Sequence, residues 1–146
     1  KEFYEALKQK FSAIEKIKVF NCGIGDKDYK TRFKVCGEST SEYDRWDKTP
    51  TKIELVEIKS FSSMFKQLKL ETVDVCSINI EGGEYKLLQH IIDENLSFKI
   101  KNLQIQFHDG FIINAAQRRK SIQDKLKDTH RMTFNYDFVW ENWTLK

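Results

Sequence analysis

Glycine and proline are scarce: the 146 residues hold six of the first and one of the second, Pro50. With so few breakers, and no repeat or low-complexity tract, no internal boundary is visible, and residues 1–146 read as a single domain. Cysteine is scarce too, and Cys22, Cys36 and Cys76 are odd in number and lack CxxC spacing. That argues against a disulfide framework and a zinc site, and makes each a small buried apolar residue in a reducing, cytoplasmic compartment. No apolar run approaches the roughly 18 residues of a membrane-spanning helix, and Lys1 opens an amphipathic pattern rather than a secretory leader. An excess of one charge is also missing, since 25 basic residues stand against 22 acidic ones. Nucleic-acid binding needs a basic stripe, and the single short cluster, Arg118-Arg119-Lys120, reads as the solvated face of a helix.

Apolar side chains are plentiful, at 40% of residues with 11 Phe, 5 Tyr and 3 Trp. A chain of this size buries roughly 70% of its unfolded surface, so a sizeable core is expected. Phe3, Leu7, Phe11 and Ile14 recur at helical spacing and predict a helix over 2–15. Alternation predicts strands over 17–24, 31–36 and 52–58, the first stopping at the turn residues Gly25-Asp26-Lys27-Asp28. Between the second and third lies a polar stretch, residues 37–51, of the length that tends to be functional or mobile. Ser60 is placed to cap a short helix carrying Phe61, Met64, Phe65 and Leu68. Val73 to Ile80 reads as a central parallel strand covered on both faces, followed by a helix through Tyr85, Leu88 and Ile91. A strand over 100–107, a helix over 115–128 and an aromatic closing strand or hairpin complete an α/β chain with a largely parallel sheet. Trp140 to Trp143 reads as core packing plus a rim.

In open α/β sheets ligands bind at the carboxyl ends of the strands. The polar groups expected there are Gly25 and Asp26; Asn79, Glu81 and Glu84; and Gln106, His108 and Asp109. Gly82-Gly83 between two glutamates serves either as a strand-to-helix turn or as the rim of a site. Phosphate is disfavoured by the flanking carboxylates, and no P-loop Lys or Ser/Thr follows. His108 is either an inert strand-end histidine or a general base, because imidazole titrates near neutral pH. Glu81, Glu84, His108 and Asp109 are metal-ligand types without a recognised spacing, so no metal is assigned and metal-assisted hydrolysis stays an alternative.

Together, "VDVCSINIEGGEYKLLQHII", "IKNLQIQFHD" and "FVWENW" resemble the FkbM family of S-adenosylmethionine-dependent methyltransferases, over nearly the whole chain. The resemblance implies a Rossmann-like class I sheet, with "INIEGGE" at the end of its fourth strand. It also implies S-adenosylmethionine as cofactor and a small-molecule or glycan hydroxyl as acceptor. Asn79 stands where the family usually has Asp, and Gln106 where Glu is common; each keeps hydrogen bonding and loses charge. On this basis Asn79, Glu81 and His108 are the expected catalytic residues. Gly25, Asp26 and Asn79 are expected at the cofactor, and Glu84, Gln106 and Asp109 at the turn and acceptor. The family's early glycine-rich turn and ribose-binding acid have no counterpart here, as if the first two strands were missing. A partner segment, an N-terminal segment or a second copy would then cover the exposed edges, or the remaining sheet would repack. A non-catalytic binding or assembly module derived from the methyltransferase fold is the second expectation.

Overall fold

The computed structural model describes residues 2–37, 40–43 and 49–146, so part of the polar stretch 37–51 lies outside the described residues. Helix α1 (Glu2–Lys10) is followed by β1 (Gly23–Gly25), β2 (Tyr29–Val35), β3 (Lys52–Ser60), α2 (Phe61–Gln67) and β4 (Cys76–Ile78). Then come α3 (Glu84–Asp93), β5 (Asn102–Ile105), α4 (Ala115–Leu126), β6 (His130–Tyr136) and β7 (Trp140–Leu145). The Ser60 cap forms as expected, its hydroxyl accepting the Ser63 N–H at 3.0 Å. The first helix ends earlier than its apolar stripe, and that stripe is not buried: Phe3 is 60% and Leu7 43% exposed. The strand expected over 17–24 pairs only at Gly23–Gly25.

The strands form two mixed sheets rather than one largely parallel sheet, in the orders β1-β3-β2 and β4-β5-β7-β6. Each holds one parallel pair, β1 with β3 and β4 with β5, and every other pairing is antiparallel. No crossover helix stands between β6 and β7, and an antiparallel pair needs none. Strand β4 is at an edge, not the centre. Its far side meets no strand among the described residues, and Val75 beside it is 54% exposed, so it is not covered on both faces. Strand β1 is the matching edge of the other sheet, and an uncharged groove runs between them, lined by Phe20, Ile24, Met64, Leu68, Val75 and Ile80 among others.

The core sits between α3, α4 and the four-stranded sheet, where Leu88, Ile91, Ile100, Leu103, Ile105, Leu126 and Trp143 are fully excluded from water. Burial of each aliphatic side chain stabilises by about 1.5–3 kcal/mol. The three cysteines are free and only half-buried, contrary to expectation. Cys76 is the most enclosed, and burial pushes its thiol up to about 11.

Arg119 does not lie on a solvated helix face. It is 8% exposed, and its guanidinium reaches from α4 to Glu141 on β7 at 2.8 Å, to Asp137 at 3.0 Å and to Asn135. Glu141 is 1% exposed and also accepts from Gln123 and from the Trp143 indole, each at 2.8 Å. The network supplies hydrogen-bond partners to charges that burial would otherwise penalise. Removing one partner strands the other, so Glu141→Ala costs about 3–5 kcal/mol in urea denaturation. Lys120→Ala, which breaks only the exposed pair with Asp124, changes stability by about 0.5 kcal/mol or less.

His130 is 1% exposed, its Nε2 donating to the Ile100 carbonyl at 2.9 Å and its Nδ1 2.6 Å from the Thr129 hydroxyl. Burial holds its pKa below the ordinary 6.5. The unfolded chain therefore takes up this proton first, and the stability it confers is complete above 6.5 and lost as pH falls from there toward the folded value. Urea midpoints measured from neutral pH downward decline more in the native chain than in His130→Gln.

Candidate functional site

Strands β1 and β4 belong to different sheets but end on one cavity of about 250 Å³. Gly25 and Asp26 line it from β1, and Asn79, Ile80 and Glu81 from β4. The turn that carries Glu81 is tight, with the Gly83 N–H donating back to the Ile80 carbonyl at 3.2 Å. Glu81 itself adopts φ 50° and Gly82 φ 98°, both left-handed, whereas Gly83 has φ −74° and opens α3. Of the two glycines, only Gly82 needs its conformational freedom. It also lacks room: a Cβ there would lie 2.8 Å from Ile112 and 3.0 Å from Phe111.

Glu84 fixes the turn. Its side chain is fully buried, Oε2 accepting the Gly82 N–H at 2.9 Å and Oε1 the His108 N–H at 2.7 Å. The same Oε1 lies 3.1 Å from His108 Nδ1, and the ring turns its other nitrogen, Nε2, toward Glu81 Oε1 at 3.4 Å. The Tyr85 hydroxyl donates to the His108 carbonyl at 2.7 Å. Two carboxylates thus bracket one imidazole, and Glu81 is the member of that chain that lines the cavity. Glu84 in the first turn of α3 also faces the positive end of the helix dipole, as its position in the sequence predicts.

The third wall comes from residues 40–43, between β2 and β3. Lys34 and Ser41 exchange backbone hydrogen bonds at 2.9 and 3.4 Å, and the buried Ser41 hydroxyl donates to the Glu81 carbonyl at 2.8 Å. Glu42 accepts the Tyr29 hydroxyl at 2.9 Å and lies 3.8 Å from Lys86, whose ammonium sits over the Tyr43 ring. Burial and the bond to Glu42 push the Tyr29 phenol up. Burial works against the Lys86 charge, but Tyr43, Glu42 and Asp26 outweigh it and hold its pKa up.

Gly25, Asp26, Asn79 and Glu81 therefore meet at one cavity, with Glu84 and His108 behind Glu81. Gln106 and Asp109 flank His108 without lining the cavity; the Gln106 backbone is held by the Ile78 carbonyl at 2.9 Å. Tyr29, Ser41, Glu42, Tyr43 and Lys86 escaped the reading of the sequence. The signal for three of them was the long polar stretch they belong to; Tyr29 and Lys86 gave none. Among the described residues no group of three or more His, Cys, Asp or Glu side chains is arranged to hold a metal ion.

Parallel strands from two sheets that end on a shared polar cleft define an α/β protein with a strand-end ligand site. The methyltransferase FkbM domain matches residues 1–136, and the chain belongs to that family. Its function is accordingly methyltransferase-like. No curated protein and no solved structure matches it. No helix among the described residues is long and apolar enough to cross a membrane.

Gly82→Ala combines a strained left-handed backbone with a Cβ forced against Ile112 and Phe111. It is expected to destabilise by about 2–4 kcal/mol in urea denaturation. Gly83→Ala, with an ordinary φ and only Ile80 at 3.1 Å, costs less.

Proposed function

We propose that the cavity binds S-adenosylmethionine and that the chain's chemistry is methyl transfer to a hydroxyl oxygen of a small or sugar-like acceptor. The observation that carries this reading is the convergence of Gly25-Asp26 and Asn79-Glu81 on one cavity. The lining suits a sulfonium cation: Asp26, Glu42 and Glu81 stand against the ammonium of Lys86, beside the rings of Tyr29, Phe33 and Tyr43. S-adenosylmethionine, when bound, supplies an electrophilic methyl group, and the transfer needs alignment more than strong acid–base chemistry. Gly25 and Asp26 border the adenine, and the Asn79 amide orients the reactants without adding charge. Glu81 accepts the proton of the acceptor hydroxyl, with His108 behind it and Glu84 holding His108 in place. Gln106 and Asp109, on the same segment as His108, face the acceptor's approach. The left-handed backbone at Glu81 supports this assignment, because a side-chain-bearing residue there costs roughly 1–3 kcal/mol that glycine would avoid.

The sequence carries no glycine-rich turn and no ribose-binding acid of the kind the family resemblance leads one to expect, so this chain's own hold on the cofactor is weak. At ligand concentrations several-fold above a millimolar dissociation constant, the stabilisation is about 1 kcal/mol, a rise of a few degrees in Tm. Thermal melts should show this rise with S-adenosylmethionine, and Asp26→Ala and Glu81→Gln should reduce it. Micromolar affinity in isothermal titration would contradict the weak hold. No rise at any concentration would remove the cofactor reading.

The second reading, a non-catalytic assembly module, is favoured by the uncharged groove between the edges of β1 and β4, which meet no further strand among the described residues. It requires association that S-adenosylmethionine does not affect, as read by light scattering against protein concentration.

A further inference from the structure

Strand β2 has two different faces. Tyr29 and Phe33 line the cavity, while Lys30, Arg32 and Lys34 alternate with them onto the other face. The register with β3 sets Lys30 opposite Glu57, Arg32 opposite Leu55 and Lys34 opposite Ile53. Directly opposed residues of an antiparallel pair share a face, so the three cations stand beside two aliphatic side chains. Those aliphatics are in water: Leu55 is 71% and Ile53 61% exposed. Among the described residues the acid of this face is Glu57, which Lys59 engages at 2.9 Å two residues along the same strand, and Lys30 and Arg32 are its exposed cations on β2. Helix α1 packs on the opposite face of the pair, beside Phe33, Val35, Lys52, Glu54 and Val56, and so leaves Ile53 and Leu55 uncovered.

We propose that this outer face of the β2–β3 pair is a docking surface for an anionic lipid bilayer. Cations alone would attract any polyanion. The exposed Ile53 and Leu55 beside them narrow the partner, because a bilayer offers phosphates to the cations and an apolar boundary to the aliphatics at the same depth. A nucleic acid has no apolar phase for these side chains, and binds through a longer basic track than this face carries. Protein interfaces centre on aromatic and arginine anchors seated in pockets, whereas here Arg32 lies on an open strand face opposite the exposed Leu55. The proposal is independent of the cofactor reading, since none of these groups is assigned a part in the chemistry.

Co-sedimentation tests it, with vesicles of phosphatidylcholine alone and of a two-to-one mixture of phosphatidylcholine and phosphatidylglycerol. The chain should sediment with the mixed vesicles, not with the neutral ones, and be released by high salt. Each cation near an anionic surface contributes about fivefold, so Lys30→Gln with Arg32→Gln lowers the partition roughly 25-fold. Leu55→Ser also lowers it, a loss that a purely electrostatic site would not show. All three positions are exposed, and unchanged thermal melts establish that the variants are folded. Failure to sediment with the mixed vesicles overturns the proposal, as does equal sedimentation of the doubly substituted chain. So does full partition of Leu55→Ser. Retention on duplex DNA or heparin without vesicle binding assigns the face to a soluble polyanion instead.

Discussion

The site depends on one buried carboxylate. Glu84 has no contact with water, and its two oxygens are committed to the Gly82 and His108 amides. Those amides are 26 positions apart in the sequence but adjacent in space: the turn after β4 and the segment just past the end of the strand beside it. Tying them fixes where Glu81 projects and which nitrogen of His108 faces it. A charge so placed is costly unless every lone pair it presents is satisfied, so the carboxylate and the turn geometry stand or fall together. Gly82 is the conformational half of that arrangement and Glu84 the electrostatic half.

A second buried charge does comparable work at the opposite side of the core. Arg119 and Glu141 join α4 to β7, and Trp143 and Gln123 donate to the same carboxylate. Helix α4 buries few apolar residues, namely Ala115, Ile122 and Leu126, so its position owes more to this directional contact than to an apolar stripe. Directional contacts specify a single docking angle, which a stripe of aliphatics does only loosely.

Much of the element order was legible because it rests on local chemistry. The Ser60 cap, the core face of α3, the glycine turn and the closing hairpin all follow from patterns within about a dozen residues. The family was legible from "INIEGGEY" and "IQFHD", whose positions after neighbouring parallel strands the structure retains. What was not legible depends on residues distant in sequence. Ser41 reaches Glu81 across 40 positions, and Arg119 reaches Glu141 across 22. Nothing local distinguishes Arg119 from its exposed neighbour Lys120. The apolar run 73–80 reads as a central strand on hydrophobicity alone, and only its actual neighbours reveal an edge facing a groove. The polar stretch 37–51 signalled a functional loop but could not say which of its residues would turn inward.

The cavity is walled by strands from two sheets whose backbone ladders never cross it. Hydrogen bonding along each sheet therefore carries no cooperativity from one wall to the other, and the link at the cavity is made by side chains, among them Ser41 on Glu81. Two cooperative units joined in this way can open separately, each with its own free energy. A ligand that touches Asp26 and Asn79 at once would bind only when both are in register, and would make their opening a single event. In such a protein, amide exchange in β1 and β4 would report occupancy of the cleft from strands that need not move when it fills.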